Sequence, residues 1–100
     1  MSTRTIALPR LNRLEPTLEA TALKLMEEAG ELAKTILSLA GEGKQGPALS
    51  RAALDLLDVA QTAITMMYVL EEQYGVDVSG ALDRHLAKLL DKGYLSLEAD

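Results

Sequence analysis

The chain has 100 residues, 48% of them hydrophobic, a formal net charge of −5 and no cysteine. That length fits one domain, and a domain this small buries only about 60–65% of its unfolded surface, enough for a thin core. The acidic excess repels a phosphate backbone and so excludes a duplex nucleic-acid binder unless the basic residues cluster. The missing cysteines exclude a disulfide framework, a thiolate metal site and a thiol nucleophile, and fit a cytoplasmic protein.

Residues 1–15 read as an irregular arm broken by Pro9, and the apolar run Ile6 to Leu8 is too short for the core of a signal peptide. A helical domain is expected over 16–95 and a short tail over 96–100. Pro16 suits the first position of a helix, where its missing N–H is not needed, and Glu19 falls in the first turn, where the helix dipole favours an acid. From Thr17 onward Leu18, Leu25, Ala29, Leu32, Ile36 and Leu39 form one apolar stripe at helical spacing. Gly30 is the only internal weakness, about 1 kcal/mol relative to alanine.

The run Gly41-Glu42-Gly43-Lys44-Gln45-Gly46-Pro47 reads as a loop. Ser50 is a good cap for a second helix from about Arg51 to Tyr74, which Gly75 stops. Its stretch Ala52 to Leu70 is almost wholly apolar, but Asp55 and Asp58 lie inside it. Acids at the centre of a bilayer span cost about 2.5–3.5 kcal/mol each, which favours a buried helix over a membrane span. Asp77 or Ser79 starts a third, shorter helix that Gly93 ends, with Lys88 and Lys92 placed where a helix C-terminus favours cations.

The expected fold is therefore all-α: two long antiparallel helices plus a shorter C-terminal one. Two rods of roughly 24 residues are each about 36 Å long. They cannot cover one another's apolar faces in a monomer, so oligomerisation that completes four-helix bundles is expected, as a dimer or a dimer of dimers.

Candidate chemistry lies in the acids. Glu27, Glu28 and Glu31 project from adjoining turns of the first helix, and Asp55 and Asp58 stand three apart on the second, continued by Thr62 and Thr65. No lysine or arginine lies between Arg51 and Arg84, so buried aspartates there need solvent, protonation or a cation. If the helices run antiparallel the two acidic groups converge, and hard oxygen ligands of that kind suit Mg²⁺ or Mn²⁺. Each group taken alone is also an ordinary solvated helix face.

The segment Leu23-Lys24-Leu25-Met26-Glu27-Glu28-Ala29-Gly30-Glu31-Leu32-Ala33 resembles the EExxE signature of the MazG-like, all-α nucleoside triphosphate pyrophosphohydrolases. Asp55-Leu56-Leu57-Asp58 resembles the family's ExxD motif with Asp in place of the first Glu. His85, Lys88 and Lys92-Gly93-Tyr94 are similar to its closing K…RGY segment with Lys for Arg. The resemblance spans roughly residues 17–95. It implies hydrolysis of a nucleoside triphosphate to a monophosphate and pyrophosphate. Glu28, Glu31, Asp55 and Asp58 would ligate the principal Mg²⁺, and Glu27 would hold a second Mg²⁺ or orient the attacking water. The shorter Asp55 side chain puts its direct ligation in question.

Arg84, Lys88 and Lys92 form a row at four-residue steps on the third helix. They are candidates for binding the substrate's phosphates, set against a plain solvated face. Arg10, Arg13 and Asn12 on the arm are weaker candidates for substrate contact. His85 reads as a surface or interface residue, Tyr68 as core, Tyr94 as packing the chain's end, and Met26, Met66 and Met67 as core filling. A di-iron carboxylate bundle normally needs Glu-x-x-His pairs, and Leu82 precedes His85 by three, so that motif is absent and the reading is disfavoured. The rival reading is a non-catalytic oligomeric helical module, or a degenerate relative that binds nucleotide without turnover. No nucleic-acid polymer and no membrane are expected as partners.

Overall fold

The computed structural model describes residues 1–42 and 46–98. Among these there are three helices and no strand: α1 (Leu18–Glu42), α2 (Gly46–Tyr74) and α3 (Val78–Asp91). The arm ahead of α1 carries no regular structure. The chain is thus all-α, with two long helices and a short third.

The boundaries follow local hydrogen bonding. Thr17, not Pro16, opens α1: its hydroxyl accepts the Ala20 N–H at 3.1 Å, the bond of an N-cap residue. Pro16 lies just outside, and its carbonyl accepts a bond from Gln73 at 3.1 Å. α2 begins at Gly46, earlier than the Ser50 cap predicts. Pro47 then sits in the first turn, where no intrahelical N–H is required, so proline does not break the helix. Most of the expected loop is absorbed into the ends of α1 and α2, and positions 43–45 lie outside the described residues.

α2 stops where expected. Gly75 adopts φ +65°, its N–H bonds the Glu71 carbonyl at 3.1 Å, and Val76 N–H bonds the Leu70 carbonyl at 3.0 Å. α3 is capped at both ends. Asp77 accepts the Gly80 N–H at 2.9 Å, and Gly93, at φ +75°, closes a Schellman motif. Its bonds run from Gly93 N–H to Leu90 O at 3.1 Å and from Tyr94 N–H to Leu89 O at 3.0 Å. An alanine at position 80 would bring its Cβ within 2.4 Å of the Asp77 carboxylate, so the small residue lets the cap close over the first turn.

α1 and α2 pack antiparallel. Contacts run Pro16 to Gln73, Glu28 to Thr62 and Thr35 to Asp55, one number falling as the other rises. Burial along α1 follows Thr21, Leu25, Glu28, Leu32, Thr35 and Leu39. That is an alternation of four and three, the seam of two helices packed side by side. Every second member is polar. Ala29 and Ile36, expected on the inner stripe, are exposed, Ile36 by 48%. Glu28 and Thr35 replace them because each finds a hydrogen-bond partner across the seam.

Little apolar surface is covered within the chain. Leu39 and Val69 are the only buried hydrophobic residues among those described. The methionine reading is corrected accordingly: Met26 is 74% and Met67 40% exposed, while Met66 is half-buried. Tyr94 is likewise exposed, with the Lys92 ammonium 5.9 Å from its ring, and does not pack the chain's end. α2 is long and apolar enough to cross a membrane by length and composition, and little of its apolar stretch is buried by its own chain. α3 meets α2 sparsely and α1 not at all. The Cα radius of gyration is 16.4 Å, against about 13 Å for a compact domain of this length.

Candidate functional site

Antiparallel packing brings the two acidic groups together. Glu27, Glu28 and Glu31 from α1, and Asp55 and Asp58 from α2, line one pocket of about 210 Å³. Glu28 and Asp55 are half-buried, while Glu27, Glu31 and Asp58 are exposed. The inner two are held from the opposite helix. The buried Thr62 hydroxyl donates to Glu28, and the Thr35 hydroxyl donates to Asp55 Oδ2 at 2.6 Å. Such outer bonds orient a carboxylate while leaving lone pairs for a ligand.

Of the two hydroxyls, one is legible in the sequence and one is not. Thr62 stands out as a continuation of the aspartate line. Thr35 leaves no signal, because threonine inside a helix is ordinary and its partner lies twenty residues away. Lys24 is the sixth residue of the pocket wall. Its ammonium is 3.7 Å from Glu27 Oε1, and both side chains are more than half exposed, so the pair contributes little to stability. It supplies from α1 a cation beside the stretch of α2 after Arg51, which has none.

Five acids against one lysine make the pocket strongly anionic. As the side chains stand, no three of the described acids or the histidine are posed around a common ion position. The donor set itself, carboxylate oxygens with two of them oriented by hydroxyls, is the kind that hard divalent cations take.

A larger cavity, about 390 Å³, adjoins the acidic pocket and shares Lys24, Glu28 and Asp58 with it. Its remaining wall comes from the arm (Leu11, Leu14, Glu15, Pro16) and from Ala20, Thr21, Gln61, Thr62 and Thr65 on the helices. The arm is therefore a roof, and it is tied down at several points. Gln61 Nε2 donates to Pro9 O at 2.8 Å. Arg10 forms a two-pronged ion pair with Glu72, and its guanidinium lies 5.0 Å from the Tyr68 ring centroid. Tyr68 is half-buried, serving as a platform for the arm more than as core.

The cations expected to serve the phosphates are elsewhere. Arg84, Lys88 and Lys92 on α3 are exposed and line none of these cavities, and His85 is exposed. Arg10 is committed to Glu72 and Tyr68, away from the acids. Arg13 and Asn12 are exposed and line no cavity. One chain thus presents an anionic pocket, an adjoining groove under the arm, and a cationic row that lines neither. No protein-family model, curated protein or solved structure matches the chain.

Proposed function

We propose that this chain is a Mg²⁺-dependent nucleoside triphosphate pyrophosphohydrolase that works as a cytoplasmic homo-oligomer, with Mn²⁺ as an alternative ion. The observation that carries the reading is the convergence of five carboxylates from two antiparallel helices on one pocket, two of them oriented by threonines and adjoined by a largely apolar groove. The three sequence motifs that resemble the MazG-like enzymes support it.

Glu28, Glu31, Asp55 and Asp58 would hold Mg²⁺. The ion would neutralise the triphosphate, which a bare carboxylate cluster repels. Glu27, at the pocket rim, accepts a hydrogen bond from the attacking water and orients it, or helps hold a second ion. Attack at the α-phosphorus breaks the bond to the bridging oxygen and yields monophosphate and pyrophosphate. The nucleoside lies in the groove beneath Leu11 and Leu14, with Lys24 at the junction of groove and pocket. Phosphoryl transfer asks the protein mainly for positioning and charge, and these residue types supply both.

The test is release of monophosphate and pyrophosphate from a panel of nucleoside triphosphates, with and without Mg²⁺. Release that needs Mg²⁺ is expected. Glu28→Gln and Asp58→Asn are expected to abolish it while far-ultraviolet circular dichroism stays unchanged. Near-normal turnover in both variants sinks the ligand assignment. A second reading, a non-catalytic helical assembly module, draws on the exposed apolar faces and on the absence of three converged donors among the described residues. Calorimetric titration separates the two, since a scaffold takes up no Mg²⁺ through these acids.

A further inference from the structure

The groove beside the acidic pocket has a largely apolar wall, so its few polar side chains decide what it can recognise. Three of them are threonines, and each has its hydroxyl proton committed. Thr21 donates to the Thr17 and Leu18 carbonyls at 2.8 and 2.9 Å. Thr62 donates to the Glu28 carboxylate, and Thr65 to the Gln61 carbonyl at 3.0 Å. Carbonyl and carboxylate oxygens only accept, so the direction of each bond is fixed. What each hydroxyl still has for a ligand is a lone pair.

Gln61 is set in the same sense by the arm. A free amide can turn either end to a ligand. Here Nε2 donates to Pro9 O at 2.8 Å, and a carbonyl can bond only the nitrogen end. The amide oxygen, on the opposite branch, has no hydrogen-bond partner among the described residues. Glu15 adds a further acceptor to the wall, and Lys24 is its one cation. Lys24 stands where the groove meets the acidic pocket, with its ammonium 3.7 Å from Glu27 Oε1. Beyond that junction the side chains of the groove are rich in acceptors and poor in donors.

Two of these acceptors are neighbours. Gln61 and Thr65 stand one turn apart on the same side of α2, and both are half-buried. Asp58 precedes Gln61 by three residues on that side and lines both cavities. Asp58, Gln61 and Thr65 therefore form a line that leaves the acidic pocket and enters the groove, about 10 Å long along the helix axis. That length is comparable with the span from a nucleotide's phosphate to the far edge of its base.

We infer that the groove selects a nucleobase with an exocyclic amino group at its far edge, as in adenine and cytosine, over the oxo counterparts hypoxanthine and uracil. Gln61 Oε1 and Thr65 Oγ1 accept the two amino hydrogens. A conjugated amino group has two N–H donors and satisfies both acceptors at once. An oxo oxygen in the same place sets lone pairs against lone pairs and leaves both acceptors without a proton, which a site built for hydrogen bonding rejects. The seating of the phosphates on the acids rests on the function proposed above, whereas the donor and acceptor balance of the groove does not.

The test uses uncharged nucleosides, which need no metal. Cytidine and uridine, and likewise adenosine and inosine, differ by amino against oxo at one ring carbon. Each is titrated into the full chain and followed by amide chemical shifts. Cytidine and adenosine should bind at least about tenfold more tightly than uridine and inosine. Equal binding, a preference for the oxo bases, or no binding of any of the four at millimolar concentration overturns the inference. Thr65→Val keeps the shape and removes one acceptor, and should narrow the preference to about threefold or less with unchanged circular dichroism. A preference left intact overturns the role of Thr65. Gln61→Glu retains acceptor oxygens but cannot donate to Pro9, while Gln61→Leu has neither property. The glutamate variant should keep the preference and the leucine variant should lose it. Loss in both would show that the tie to the arm, and not the acceptor, sets the preference, and overturns the role of Gln61. Amino-selective binding without turnover of any triphosphate defeats the proposed reaction and upholds the selectivity. Turnover together with equal binding of all four nucleosides does the reverse.

Discussion

At the scale of single residues, the acidic pocket depends on two hydroxyls. Thr62 and Thr35 each hold a half-buried carboxylate from across the helix pair. Replacing Thr62 by valine keeps the shape but removes the donor to Glu28. Outer partners of metal-binding carboxylates typically contribute ten- to a hundredfold in affinity. Thr62→Val is therefore expected to raise the Mg²⁺ concentration for half-maximal binding by about that factor, read by titration calorimetry. An unchanged Mg²⁺ curve would mean that Glu28 is not a ligand. Arg10 makes the opposite case. Its pair with Glu72 is half exposed, so Arg10→Ala should cost less than about 1 kcal/mol in denaturant unfolding. It should nonetheless speed proteolysis within the arm, because three of the arm's ties converge on that stretch. Equal cleavage rates would show that the remaining contacts hold the arm unaided.

At the scale of elements, helix ends were largely legible because the relevant bonds are local. Glycine at positions 75 and 93 and aspartate at 77 mark stops and starts, and each does so through bonds spanning a few residues. Asp77→Ala should destabilise by about 1 kcal/mol, measured by urea unfolding at fixed protein concentration. A change near zero would mean that α3 does not unfold with the rest of the chain. The inner stripe of α1 was less legible. Apolar residues at helical spacing occur on more than one face of that helix, and Ala29 and Ile36 look as suitable as Glu28 and Thr35. Which face turns inward depends on the bonding partners that α2 presents.

At the scale of the whole molecule, the exposed apolar faces of α1 and α2 dominate. The homo-oligomer proposed above would add stability to a chain that buries so little by itself, and that gain would follow mass action. The melting temperature is expected to rise with chain concentration from low to high micromolar, checked by circular dichroism melts over a hundredfold dilution series. A melting temperature independent of concentration would mark a self-sufficient monomer. α3 belongs to this scale as well: well capped and nearly unsupported by its own chain, it has a row of cations that does not line the acidic pocket.

The sequence by itself determined the helical class, the C-terminal end of α2, the ends of α3, and the acidic groups at three- and four-residue spacing. All of these rest on interactions within one or two helical turns, which neighbouring residues decide. Only the tertiary structure decided that Glu28 and Thr35 face α2, that Lys24 shares the acidic pocket, that the arm roofs the adjoining groove, and that Arg84, Lys88 and Lys92 stand apart from it. Those placements join residues 20 to 62 positions apart. Helix spacing sets the angle of a side chain about its own axis and says nothing about which neighbour lies along that direction.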